Sequence, residues 1–123
     1  MQKKTIILAD DDEAICDAIK HILERAGHRV IIFFNGDAIL AGQYEAPDIF
    51  ILDKQFAGID GLEICRHIKT TPATAGTPVI MLSASPHIKA LAKQAGADDA
   101  LEKPFAMQNL RNMVAHYLGA MNT

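Results

Sequence analysis

The 123-residue chain is short of the features that announce many protein classes. It has only two cysteines, Cys16 and Cys65, too few and too far apart for a disulfide framework or a zinc site. Its five histidines (His21, His28, His67, His87 and His116) are scattered without metal-ligand spacing. The longest apolar run, Val30 to Phe34, is far too short to span a membrane. A net charge of -3 provides no basic field for nucleic acid. Lys3 and Lys4 lead into a brief apolar stretch and then three aspartates, which is no pattern for a signal peptide. Neither repeats nor low-complexity linkers interrupt the chain. Together these absences predict one domain over 1–123 in the cytoplasm, with no output segment, no membrane insertion and no direct nucleic-acid partner.

What is present alternates. Thr5–Ala9, Val30–Phe34, Ile49–Leu52 and Val79–Leu82 are short apolar runs of strand length. Ala100–Leu101 is a weaker fifth. Between them fall helical stripes: Ile15, Ala18, Ile19, Ile22, Leu23 and Ala26, stopped by Gly27; a weak one over Gly36–Gln43; then Gly61–Lys69. Ile88, Leu91, Ala92 and Ala95 stripe a helix ended by Gly96, and Leu110, Met113, Val114, Tyr117 and Leu118 stripe the last. Strands alternating with helices imply an α/β fold whose parallel sheet is covered on both faces. In such folds chemistry collects beyond the carboxyl ends of the strands.

Those ends are polar. The first strand runs into Asp10, Asp11, Asp12 and Glu13, the third into Asp53, the fourth into Ser83 and Ala84, and Lys103-Pro104 follows the fifth. Helix capping accounts for Asp12 and Glu13, but not for a carboxylate delivered from another strand. If the first and third strands are neighbours, Asp10, Asp11 and Asp53 converge and repel, and a hard divalent cation such as Mg2+ relieves the repulsion. A carboxylate can attack phosphorus to give an aspartyl phosphate. A lysine ammonium, here Lys103, can neutralise the transferring oxygens. Ser83 can donate a hydrogen bond to them, although serine also follows strands for turn reasons.

Taken in order, "IILADDDEAI", "PDIFILD" with Asp60-Gly61 after it, "PVIMLSAS" and "AGADDALEKPF" resemble the receiver domain of two-component response regulators across essentially the whole chain. The resemblance implies a flavodoxin-like five-stranded sheet of order 2-1-3-4-5. It implies that Asp53 accepts a phosphoryl group from a histidine kinase or phosphotransfer protein. Asp11, Asp53 and the Gln55 backbone carbonyl would ligate Mg2+, with Asp10 acting through a water; Ser83 and Lys103 would contact the phosphoryl group, and the Lys103–Pro104 bond would be cis. An unidentified downstream protein would read the face of the fourth helix, fifth strand and fifth helix, which carries His87, Lys89, Lys93, Glu102 and Met107. By the same resemblance the domain is a signalling element whose only catalysis is its own phosphorylation and dephosphorylation.

Two departures stand out. Phe56-Ala57 replaces the usual Met-Pro after the acceptor, which predicts an altered loop around an intact site. Ala100 replaces the usual tyrosine or phenylalanine before the lysine, so any readout of phosphorylation must use backbone shifts or other side chains. That substitution keeps open a receiver fold that binds partners without phosphate. An aspartate-nucleophile phosphatase would want an acid where Gln55 stands, and a flavin carrier would want hydroxyls and glycine where the three aspartates are.

Overall fold

The computed structural model describes residues 3–119. Its elements are β1 (Thr5–Ala9), α1 (Glu13–Arg25), β2 (Arg29–Phe33), α2 (Asp37–Leu40), β3 (Ile49–Asp53), β4 (Gln55–Phe56), β5 (Ile59–Asp60), α3 (Gly61–Thr70), β6 (Val79–Ser83), α4 (Ile88–Gln94), β7 (Asp99–Glu102) and α5 (Met107–Tyr117). Five of the strands form one parallel sheet, β2-β1-β3-β6-β7; β4 and β5 pair with each other as a small antiparallel ribbon. Counting the sheet strands alone, the order is the expected 2-1-3-4-5, the flavodoxin-like arrangement.

The continuous apolar runs have a plain cause. Strands β1, β3 and β6 are buried on both faces, so successive side chains enter different cores. Ile7, Ala9, Phe50, Leu52, Val79 and Met81 pack with α2, α3 and α4. Ile6, Leu8, Ile49, Ile51, Ile80 and Leu82 pack with α1 and α5. Each fully buried Ile or Leu contributes roughly 1.5–3 kcal/mol relative to an exposed one. Cys16 lies in the second core and Cys65 in the first, so the sheet stands between the two thiols and both are free.

Helix α1 shows how local signals set the geometry. The Asp12 carboxylate accepts from the N–H groups of Ala14 and Ile15, Glu13 sits in the first turn, and Cys16, Ile19 and Leu23 face the core. Gly27, at φ 96, takes the left-handed conformation that ends the helix. Replacing Asp12 by alanine is expected to lower stability by about 1 kcal/mol, measurable as a shift of the urea midpoint at unchanged slope.

Several elements differ from the sequence-based reading, among them β2, which runs over Arg29–Phe33 rather than Val30–Phe34. Helix α2 is only four residues long rather than spanning Gly36–Gln43, because Gly42 turns left-handed at φ 71 directly after the Ala41 cap. The fifth sheet strand extends to Asp99 and Glu102 on either side of Ala100–Leu101. The β4–β5 ribbon was unforeseen: two-residue strands carry too little alternation to register. Among the described residues, no helix is long and apolar enough to cross a membrane.

Candidate functional site

The carboxyl ends of the central strands bring the acids together. Because β1 and β3 are hydrogen-bonded neighbours, with Ala9 opposite Leu52, the residues that follow them leave the sheet side by side. Carboxylate oxygens of Asp10, Asp11 and Asp53 all lie within 4.8 Å of one another. Asp10 is completely buried, Asp53 half-buried and Asp11 exposed. This is the convergence expected from the strand ends.

Lys103 reaches in from the loop after β7. Its Nζ lies 3.1 Å from Asp10 Oδ2, where it donates a hydrogen bond, and 3.5 Å from Asp53 Oδ1. The Lys103–Pro104 peptide bond is cis, as the resemblance implied. Burial and the Asp10 charge raise the Asp53 carboxyl to about 6, with Lys103 acting in the opposite direction. Burial would lower the Lys103 ammonium, but the charges of Asp53 and Asp10 outweigh it and raise its pKa. Three aspartate side chains thus converge where a single lysine is placed to pair with them. An all-oxygen donor set with this excess of negative charge fits a hard divalent cation such as Mg2+.

Ser83 is buried at the end of β6; its Oγ accepts the Ser85 N–H at 3.0 Å, leaving its own hydrogen free to donate. Ala84 beside it is exposed. In the ribbon, Phe56 opposes Ile59 and Gln55 opposes Asp60, while the Gly61 N–H donates to the Lys54 carbonyl. Hydrogen-bonded and non-hydrogen-bonded pairs alternate in antiparallel ladders, so the Gln55 carbonyl points out of the ribbon.

Two groups escaped the sequence reading. Gly61 begins α3 against the backbone of Asp53: a Cβ there would fall well inside contact with the Asp53 carbonyl oxygen and 2.9 Å from its carbon. The Asp60-Gly61 pair was visible as a motif, but only the packing shows its purpose. The second is the Ala57 N–H, which donates to Asp11 Oδ2 at 2.8 Å. Nothing in the sequence marks a contact between a loop amide and a carboxylate 46 positions away.

Ala100 is buried against the α4 side of the sheet, opposite Met81 in β6. A surface cavity of about 440 Å3 opens beside it, rimmed by Lys89, Lys93, Asp98 and Asp99. Tyr117 of α5 closes over the start of β7, its one hydroxyl hydrogen shared between the Asp98 carbonyl at 3.0 Å and Asp99 Oδ2 at 2.9 Å.

Fold and site define a doubly wound domain with an acidic pocket and one lysine at the carboxyl edge of its sheet. The family model described as the response regulator receiver domain matches residues 6–115, and the chain belongs to that family, a signalling domain of two-component systems. It is 36% identical over 110 residues to the phosphate regulon transcriptional regulatory protein PhoB of Rhizobium meliloti, covering 85% of this chain and 48% of that protein. It is 32% identical over 114 residues to the alkaline phosphatase synthesis transcriptional regulatory protein PhoP of Bacillus subtilis, covering 90% of this chain and 47% of that protein. The chain thus spans about half the length of these curated relatives. Among solved structures, the chemotaxis response regulator CheY4 of Vibrio cholerae superposes with a TM-score of 0.85 at 26% identity, covering 94% of this chain and 99% of that one. The receiver domain of a histidine kinase from Syntrophus aciditrophicus gives 0.85 at 29%, covering 95% and 91%.

Proposed function

We propose that this receiver domain takes a phosphoryl group onto Asp53 from the phosphohistidine of a cytoplasmic histidine kinase or phosphotransfer protein. The observation that carries the reading is the convergence of Asp10, Asp11 and Asp53 around Lys103 in a chain of this family. An Asp53 carboxylate oxygen attacks phosphorus, the bond from phosphorus to the histidine nitrogen breaks, and the departing imidazole keeps the electron pair and takes up a proton. Asp53 suits the role because β3 holds its backbone rigidly while its side chain stays partly open to a donor. Lys103 would move its charge toward the phosphoryl oxygens, and the Ser83 hydroxyl would donate to one of them. Asp11, Asp53, the Gln55 carbonyl and, through a water, Asp10 would hold Mg2+, which when bound screens the negative charge of donor and acceptor.

The charge gained at Asp53 would be read on the α4-β7-α5 face by a downstream protein. Ala100 favours a second reading, a fold that binds its partner without phosphate, because its methyl group offers no ring to rearrange. Intact mass after incubation with Mg2+ and a small-molecule phosphodonor separates the two. The expected result is a gain of one phosphoryl group, absent in Asp53→Asn and absent after chelation. An unlabelled protein, under conditions that label another receiver, would move the assignment to the phosphate-independent module.

A further inference from the structure

Of the three converging carboxylates, two share Lys103. Asp11 is in no ion pair among the described residues; its hydrogen-bond donor is the Ala57 N–H, at 2.8 Å. That amide is held by an uncommon backbone. Ala57 and Gly58 are the two central residues of the β4–β5 turn, at φ 51 and φ 75. Positive φ at both positions defines the tight hairpin turn that suits strand twist. Glycine accepts it freely, whereas Ala57 is the one described non-glycine residue at positive φ, a conformation its Cβ disfavours. Strain of this kind persists where the surroundings over-determine it. Here the determinants are the Phe56 side chain, 1% exposed in the core, and the Asp11 carboxylate that receives the amide.

We infer that the Ala57 N–H is a positioning group of the cation site: through the left-handed turn it holds Asp11 toward Asp10 and Asp53, so that turn conformation and Mg2+ affinity are coupled. The hydrogen bond offsets part of the repulsion that would otherwise drive an exposed carboxylate away from two others, and it restricts the side-chain freedom that cation binding would have to remove. Proline at this position would have neither the N–H nor access to φ 51. The inference rests on the Mg2+ reading above.

Two measurements on the full chain test it. Mg2+ affinity, followed by calorimetry, is expected to fall about tenfold in Ala57→Pro, the order lost with one charge-assisted hydrogen bond, and to stay close to wild type in Ala57→Gly, which keeps the N–H and relieves the turn. In the metal-free protein, exchange of the Ala57 amide is expected to accelerate in Asp11→Ala and to stay slow in Asp53→Asn. Equal Mg2+ affinity in wild type and Ala57→Pro overturns the coupling, as does Ala57 exchange indifferent to Asp11. A wild type that binds no Mg2+ overturns the reading of the site itself, and the coupling with it.

Discussion

Asp53→Asn should make the metal-free protein more stable at neutral pH, by about 2 kcal/mol, while removing the group proposed to react. In the folded protein burial and the Asp10 charge raise the Asp53 carboxyl to about 6, against roughly 3.9 for an aspartate in an unfolded chain. Between those values the native state binds more protons than the unfolded state, so stability falls as pH rises through that interval. Above pH 7 the cost is fully expressed, and asparagine, which never ionises, escapes it. A shift of about two units corresponds to no more than about 3 kcal/mol. The Lys103 ammonium, left with Asp10 alone, returns part of that. Denaturant titrations at several pH values should show the stabilisation in full at pH 7.5 and vanishing toward pH 4. Saturating Mg2+ should shrink or reverse it, because a cation bound to the native wild type adds its own stabilisation. A variant less stable than wild type at pH 7.5 without Mg2+ would sink the account of Asp53 as a carboxylate held against its own charge.

Gly61→Ala is expected to be the most damaging methyl group that can be added near the site. The obstacle is backbone rather than a pliable side chain: the new Cβ would meet the carbonyl oxygen and carbon of Asp53 and the carbonyl carbon of Lys54. Gly61 does not need a glycine-only φ; the cost is steric, so α3 must move away from β3 or Asp53 must shift. Overpacking a tight contact typically costs 1–3 kcal/mol, and for a clash with two peptide groups we expect about 3 kcal/mol. The phosphorylation rate should fall further than stability predicts, by about a hundredfold, since displacements near 1 Å at a reacting atom carry penalties of that order. Alanine at Gly76, where a Cβ meets nothing within 4 Å, is the matched control and should change little. Thermal melts and rates of phosphodonor labelling on the two variants make the comparison. Equal behaviour would mean that α3 yields without disturbing Asp53.

How far the sequence led depended on whether a signal was periodic. Buried strands such as Ile49–Asp53 and amphipathic helices such as Glu13–Arg25 repeat their apolar residues often enough to be read directly. The acidic pocket was legible because strand order converts "ADDDE" and "ILD", far apart in the chain, into neighbours. The β4–β5 ribbon was not, since Ala57-Gly58 lacks the asparagine or aspartate that usually advertises such a turn. At Phe56-Ala57, where an altered loop was expected, the turn holds Ala57 at φ 51, a value that proline could not adopt. Gly61 and the Ala57 amide stayed hidden for a different reason. Their roles depend on close approach of backbone to backbone or carboxylate, and neither leaves a side-chain pattern.

The placement of the two cysteines has a practical consequence. Burial pushes the Cys16 thiol up to about 12 and the Cys65 thiol to about 11, and the sheet separates them. At ordinary pH neither presents a thiolate to reagents, the reactive form of the side chain. The molecule therefore offers a silent chemical background: a single cysteine introduced on the α4-β7-α5 surface would be the site at which a probe attaches, and motion of that face could be followed in an otherwise native chain.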